Sequence, residues 1–238
     1  MDIALFIRSE LFLLTLTFLL FWIFSRLQTR TGIALLNPMV LTIAALIVFL
    51  RVAGISYDEY YKSGQLIEFW LKPAIVALAL PLYSELRHIR RQLMPLLLAE
   101  LAGCVVGIVS VVVIAAMLGA GEDVVRSLAP KSVSTPIALE ISRQIGGIPA
   151  LTSAIVVVVG MIGAMTGLKM MTWGRVKSPV SRSLSMGTAS HVMGTNRVSE
   201  YGERFGAYAT LGLIINGILT AFLADPLVEL VYACGLAG

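Results

Sequence analysis

Long apolar segments separated by short charged stretches constrain the fold of this chain more than any other feature. Hydrophobic residues make up 58% of the sequence and charged residues 13%, whereas a typical soluble domain carries about 25% charged residues. Backbone groups have no water partner inside a bilayer, so lipid-exposed segments must satisfy their hydrogen bonds internally. Apolar runs of this length favour helices. The sequence therefore predicts an all-α polytopic membrane protein, with the lipid bilayer as its first partner.

Six segments have roughly the length and composition of a transmembrane helix, which needs about 20 mostly apolar residues. They are residues 5–24, 36–52, 71–86, 93–118, 148–171 and 205–223. The first segment has no small-residue cleavage site and is followed by Arg26 and Arg30, which favours a retained helix over a signal peptide. The tail 226–238 is apolar but too short to span, so we expect a half-length or interfacial segment there.

Charged residues between these segments predict the topology. Basic residues concentrate in the stretches that follow the first, third and fifth segments: Arg26, Arg30, Arg87, Arg90, Arg91, Arg175, Lys177 and Arg182. Because cytoplasmic loops carry an excess of lysine and arginine, the N-terminus is expected outside and these stretches in the cytoplasm. The formal charge of +4 is thus explained by topology and does not indicate a nucleic-acid partner.

Two polar stretches resemble each other at one fixed spacing. The matched pairs are Val124 and Val180, Arg126 and Arg182, Ser127 and Ser183, Leu128 and Leu184, Ser134 and Ser190, and Gly146 and Gly202. One predicted span, 148–171, lies between the copies and reverses the direction of the chain. The repeat is therefore expected to be inverted, which is typical of secondary transporters.

Both copies contain a segment too polar to face lipid, residues 130–147 and 186–203. Each is expected to be re-entrant or half of a broken helix, buried in protein or lining a wet cavity. The predicted organisation is a single integral membrane domain. Residues 1–93 form the first three transmembrane helices, and residues 94–238 form the inverted-repeat core.

Half-helices that begin inside the membrane offer free backbone N–H groups to an anion. In the first polar segment the candidate substrate-binding residues are Lys131, Ser132, Ser134 and Thr135. In the second they are Gly187, Thr188, Ser190, His191, Thr195 and Arg197. Asn37 is a further candidate, for the cavity or for carbonyls left free near Pro38.

The charged candidates each have a structural alternative. Lys131 and Arg197 could pair with a carboxylate substrate, or Lys131 could extend to the interface and Arg197 could neutralise Glu200. His191 and Glu140 are the candidate proton-coupling groups. His191 could instead be a hydrogen-bonded packing residue, and Glu140 could pair with Arg143 one helical turn away.

Enzymatic interpretations find no support in the sequence. It contains no nucleophile–base pair at a recognisable spacing, no cluster of metal ligands and no phosphate-binding loop. Cys104 and Cys234 lie far apart in apolar surroundings and are expected to be packing residues. No enzyme activity, metal or other cofactor is therefore predicted.

Several short motifs, in their order and spacing, resemble the LrgB/CidB family over essentially the whole chain. They are residues 36–38 (LNP), 54–58 (GISYD), 73–83 (PAIVALALPLY), 130–138 (PKSVSTPIA), 145–150 (IGGIPA) and 187–191 (GTASH), followed by Gly194, Thr195 and Arg197. Ser134 stands where threonine is common in that family, and Asn196 lies in a variable position.

The resemblance implies a bacterial inner-membrane protein, often accompanied by a small LrgA/CidA-like membrane protein. It also implies a fold similar to that of inverted-repeat carriers of the cation/proton antiporter type. One function it implies is transport of small monocarboxylates such as pyruvate, glycolate, glycerate or lactate, since the plastid glycolate/glycerate translocator shares this domain. The alternative is a holin-like or antiholin-like modulator of murein hydrolase export and autolysis. A homo-oligomer is compatible with both.

Overall fold

A computed structural model describes residues 6–31, 36, 38–77, 83–84 and 86–235 of the chain. The described residues form helices and turns and contain no β-strand. The helices are α1 Glu10–Thr31, α2 Pro38–Ala53, α3 Tyr57–Ala77, α4 Leu86–Arg91, α5 Leu93–Met117, α6 Glu122–Leu128, α7 Thr135–Gln144, α8 Pro149–Trp173, α9 Pro179–Ser199 and α10 Glu203–Ala233. The predicted all-α membrane fold is confirmed.

The chain divides into two compact units, Met1–Ala77 and Leu78–Gly238, and the sequence-based division had been placed at residue 93. In the first unit, α1 packs against α2 and α3. A hydrogen bond of 3.1 Å joins the Thr17 hydroxyl of α1 to the Tyr60 hydroxyl of α3. Near the start of α3, the Glu59 carboxylate oxygen Oε1 lies 3.4 Å from the Arg8 guanidinium nitrogen Nη1.

Three predictions for the first unit need correction or lie outside the described residues. Residues 25–31, which follow the predicted span 5–24, are helical, because α1 continues to Thr31. Within this helix Arg26 lies over the Trp22 ring at 4.4 Å, one helical turn away. The predicted span 36–52 is a helix of 16 residues, shorter than the usual span. Residues 71–77 of the predicted span 71–86 form the end of α3, whereas residues 78–82 and 85 lie outside the described residues, as does Asn37.

Among the described residues, four helices are long and apolar enough to cross a membrane: α1, α5, α8 and α10. The ends of α5 and α8 agree with the predicted spans to within two residues. Helix α10 is longer than predicted, with 31 residues, and continues through Pro226 to Ala233. The separate tail segment predicted for 226–238 was wrong. Val228 and Val231 are buried in the apolar core, and their burial compensates for the helical hydrogen bond that Pro226 cannot make.

The spacing of the sequence repeat reappears in the helix ends of the second unit. Helices α5 and α8 each contain 25 residues, and their first residues, Leu93 and Pro149, are separated by the same spacing as Val124 and Val180. The helical geometry is interrupted at Ser134 in the first copy and at Ser190 and His191 in the second. The described part of the chain thus repeats a long helix followed by an interrupted one. The opposite orientation of the two copies stays a prediction.

A buried network of hydroxyl groups fixes the turn between α6, α7 and α8. The Ser127 hydroxyl accepts a hydrogen bond of 2.7 Å from the backbone N–H of Ile148. The Thr152 hydroxyl lies 3.0 Å from the Ser127 carbonyl and 2.7 Å from the Ser142 hydroxyl. Gly147 is required there, because a Cβ would lie 2.9 Å from the Ser127 nitrogen. Buried polar groups are thereby satisfied beside apolar helices, so that α7 can end and α8 begin inside the packed unit.

Candidate functional site: a polar cavity between four segments

A cavity of about 300 Å³ lies inside the second unit, between α5, the turn before α7, α9 and α10. Its volume is at the lower end of the range of about 300–1,000 Å³ for small-molecule sites. Small or apolar residues form much of the wall. The polar side chains that line it are Glu100, Cys104, Lys131, Ser132, Ser185, Thr188, Asn216 and Thr220.

Lys131 is the cationic residue of the cavity wall. The chain leaves α6 at Leu128 and turns, with the Lys131 N–H donating to the Leu128 carbonyl at 3.1 Å, so that the side chain points back towards α5. Its Nζ donates to the Ser132 hydroxyl at 3.0 Å and lies 4.0 Å from the position that a Cβ on Gly107 would take. Among the described residues, no carboxylate lies within ion-pair distance of this ammonium group. Its charge is therefore available to an anion.

Glu100 is the buried carboxylate of the same cavity. Its side chain on α5 is 1% exposed, and the Thr188 hydroxyl of α9 donates to Oε1 at 2.6 Å. The second oxygen, Oε2, has no hydrogen-bond partner among the described residues. Gly212 allows α10 to approach this pair, because a Cβ there would lie 3.1 Å from both Glu100 Oε1 and Thr188 Oγ1.

Asn216 connects the two polar segments across α10. Its side-chain nitrogen donates to the carbonyl of Ser132 at 3.2 Å and to the carbonyl of Thr188 at 3.1 Å. Next along the wall, the Thr220 hydroxyl lies 3.4 Å from the Cys104 sulfur. The amide of Asn216 thus holds the turn before α7 and the first half of α9 at a fixed separation.

Ser190 and His191, at the break in α9, face α8 and are not in the cavity wall. His191 has a φ of 42°, in the left-handed region that β-carbon-bearing residues rarely adopt. Its Nε2 lies 2.9 Å from the Val156 carbonyl, and the ring packs directly on Gly160. Gly187, also predicted for the site, contacts the backbone of Ala209 on α10. The structural alternative considered for His191, a hydrogen-bonded packing residue, describes what is observed.

The remaining predicted residues of α9 also lie away from the cavity. Thr195 is buried and donates to the His191 carbonyl at 2.9 Å, so it stabilises the second half of the helix. Arg197 is exposed, donates to Glu200, and lies 6.0 Å from the Tyr201 ring. Its charge is neutralised within its own helix turn.

Helix α7 places its predicted residues in different surroundings. Ser134 is the extended residue before α7, and its side chain makes no capping hydrogen bond; Thr135 begins the helix, with Pro136 in its first turn. Glu140 is exposed and lies 3.7 Å from Arg143. Of the predicted site residues, the structure brings Lys131, Ser132 and Thr188 together in the cavity.

Glu100, Asn216 and Thr220 were missed by sequence reasoning. A signal for Glu100 was present, since it is a carboxylate inside the predicted span 93–118, and ionisable residues in such positions are usually functional. In the sequence the same rule points to Glu140, which lies in the polar segment 130–147. Asn216 and Thr220 lie in the predicted span 205–223, where isolated polar residues carry a weaker signal.

Arg126 anchors the polar turn from outside the cavity. It donates to the Ile145 carbonyl at the end of α7 at 3.0 Å and to Glu229 of α10. It also pairs with Glu122 one turn earlier. The hydrogen bond to the Glu229 carboxylate is the largest influence on this group and raises the pKa of Arg126. Arg126 therefore stays charged and ties α6, α7 and α10 together.

Metal binding has no candidate in the described ranges, where no three His, Cys, Asp or Glu side chains converge. The cavity instead offers one ammonium group, one carboxyl group, one amide group and several hydroxyl groups. This set suits a small polar anion that can exchange hydrogen bonds with the wall.

Comparison with known proteins gives one consistent relationship. The model of the LrgB-like family matches residues 17–230. The chain is 30% identical to the holin-like protein CidB of Staphylococcus epidermidis over 92% of this chain and 96% of that protein. It is 36% identical to an uncharacterised protein of Haemophilus influenzae, over 91% and 94% of the two chains, and 32% identical to the uncharacterised protein YxaC of Bacillus subtilis, over 85% and 88%. No solved structure matches the chain. The family match covers most of the sequence, and the chain belongs to the LrgB-like family.

Proposed function

We propose that this protein is a proton-coupled carrier of small monocarboxylates, such as pyruvate, glycolate, glycerate or lactate, and that it has no enzymatic activity. The observation that carries the proposal is the ammonium group of Lys131, which lies in a polar cavity without a carboxylate partner among the described residues. A charged group in such a place is expensive to keep, which favours a functional role.

The chemistry of the wall is compatible with a small carboxylate. Lys131 Nζ and the Ser132 hydroxyl lie 3.0 Å apart, so one substrate carboxylate can accept from both. Charge-assisted hydrogen bonds of this kind are roughly twice as strong as neutral ones. A cavity of about 300 Å³ holds a molecule of a few carbon atoms but excludes a large polyanion.

The location and partners belong to the same proposal. We place the protein in the inner membrane of a bacterium, with its N-terminus outside and its basic stretches in the cytoplasm. Transport is expected to involve a small LrgA/CidA-like membrane protein, and the carrier itself can form a homo-oligomer. If the two copies of the repeat are inverted as predicted, the cavity can be exposed alternately to the two sides.

A holin-like role is the second candidate, and the names of the relatives favour it. Relatives from two staphylococcal species are called holin-like protein CidB, whereas none of the reported relatives is named as a carboxylate carrier. A pore or pore regulator, however, does not need a half-buried ammonium group and a buried carboxyl group around one small cavity. A defect in carboxylate transport could also alter lysis indirectly, through acid metabolism.

Uptake into proteoliposomes tests the carrier. Purified protein, with and without the LrgA/CidA-like subunit, is reconstituted, and the uptake of labelled pyruvate, glycolate, glycerate and lactate is measured under a pH gradient. Wild-type protein should give saturable uptake. Lys131→Met should weaken it by about tenfold or more, because one charged hydrogen bond contributes roughly 1.5–3 kcal/mol.

Lys169→Met is the matched control, since Lys169 is exposed on α8 and away from the cavity wall; its uptake should equal that of the wild type. Absence of saturable uptake of all four acids, with and without the small subunit, would refute the carrier. Leakage of a trapped dye too large for the cavity would support the holin-like role instead.

A further inference from the structure

We propose that Glu100 is the proton-binding group of the cavity, taking up a proton from one side of the membrane and releasing it to the other during transport. This inference rests on the proposed carrier function and assigns its proton step to one carboxyl group. The sequence had suggested His191 and Glu140 for this step, and the structure places neither in the wall.

The unequal environment of the two oxygens of Glu100 carries the inference. Oε1 accepts from Thr188 at 2.6 Å, whereas Oε2 is buried without a partner among the described residues. An ionised carboxylate with one unpaired oxygen is costly to bury, and a bound proton removes that charge. The proton would become an O–H donor on Oε2, able to hydrogen-bond to a substrate or to water in the cavity.

The charged groups that face Glu100 also suit a proton step. The turn before α7 contributes Lys131, and α5 itself contributes the thiol of Cys104, one helical turn from Glu100. The wall residues from α9 and α10 that can ionise or hydrogen-bond are the uncharged Ser185, Thr188, Asn216 and Thr220. Lys131 is not within ion-pair distance of Glu100, so no fixed salt bridge holds this carboxyl group in its ionised form.

Thr188 provides a physical link between the proton and the interrupted helix. It lies on the first half of α9, two residues before the break at Ser190 and His191. The Thr188 hydroxyl donates to Glu100, and its backbone carbonyl accepts from Asn216. A change in the charge of Glu100 changes the strength of the Thr188 hydrogen bond, and thus biases the position of this half-helix.

Proton binding can be tested without any transport. An apolar carbodiimide adds to a protonated carboxyl group and leaves a stable N-acylurea adduct, which mass spectrometry locates. In reconstituted protein we expect Glu100 to be labelled, with less adduct at alkaline than at acidic pH and less in the presence of pyruvate. Glu100→Gln should lose this adduct and keep all others. Absence of a Glu100 adduct at every pH tested would overturn the proposal.

Coupling is tested with the same variant in proteoliposomes. Glu100→Gln should lose accumulation driven by a pH gradient but keep exchange of labelled for unlabelled pyruvate, because exchange requires no net proton movement. Glu100→Asp should restore part of the accumulation. Glu140→Gln, the same change at an exposed carboxylate, should behave as the wild type. If Glu100→Gln still accumulates pyruvate fully under a pH gradient, the role of Glu100 is refuted. If the Glu100 adduct depends on pH but the wild-type protein shows no uptake, only the carrier function is refuted.

Discussion

At the scale of single residues, the cavity depends on polar side chains whose partners lie on other helices. Asn216 is the clearest case, since it is 2% exposed and its one amide serves two backbone carbonyls from different segments. Such bridging groups fix the relative position of elements that are not neighbours in sequence. Their loss should therefore affect stability and the shape of the cavity together.

Asn216→Ala should destabilise the protein by about 1–3 kcal/mol, because the carbonyls of Ser132 and Thr188 lose their donor in a partly buried setting. Thermal unfolding of the purified protein in detergent measures the change. Asn196→Ala is the matched control, since Asn196 is exposed on the same unit. Its replacement should leave the thermal unfolding midpoint unchanged. Equal midpoints for the two variants would contradict the bridging role.

Residue patterns located part of the site, for physical reasons that differ from residue to residue. Lys131, Ser132 and Thr188 were predicted because polar residues in a segment too costly for lipid must be enclosed. Glu100 and Asn216 were missed because their partners come from distant segments, which local patterns do not reveal. Ser190 and His191 were also predicted for the site, but they lie outside the cavity wall, and the sequence does not reveal the backbone break with the positive φ of His191 that turns them towards α8.

At the scale of elements, the close approach of α9 and α10 positions the cavity. Gly187 on α9 leaves no room for a side chain against the Ala209 carbonyl of α10.

The apolar stretches predicted most of α5, α8 and α10, because hydrophobic length alone determines such helices. Patterns failed at the ends of α1 and α10, which continue beyond the predicted spans to Thr31 and Ala233.

Gly187→Ala should force α9 and α10 apart and destabilise the protein by about 1–3 kcal/mol, the usual cost of overpacking. Both the thermal midpoint and the fraction eluting as a single species in size-exclusion chromatography should fall. Gly64→Ala, on helix α3, is the control, because a Cβ there meets nothing within 4 Å. A thermal unfolding midpoint equal to that of the wild type for Gly187→Ala would show that α9 and α10 can move apart without loss of stability.

At the scale of the whole molecule, the repeat connects sequence, fold and proposed transport. Its spacing appears in the starts of α5 and α8 and in the interruptions at Ser134 and Ser190. The copies have diverged in chemistry, since Lys131 lines the cavity and His191 packs against α8. A carrier with this architecture requires the copies to enter the membrane from opposite sides.

That requirement predicts the accessibility of two positions, one just before the start of each copy. In a Cys234→Ser background, Asp123→Cys should react with a membrane-impermeant maleimide in intact cells, and Lys177→Cys should react only after permeabilisation. Both positions are exposed, and the remaining Cys104 is buried, so the background signal should be low. Reaction of both positions from the same side would disprove the inverted arrangement, and alternating access through paired half-helices would then have no structural basis in this chain.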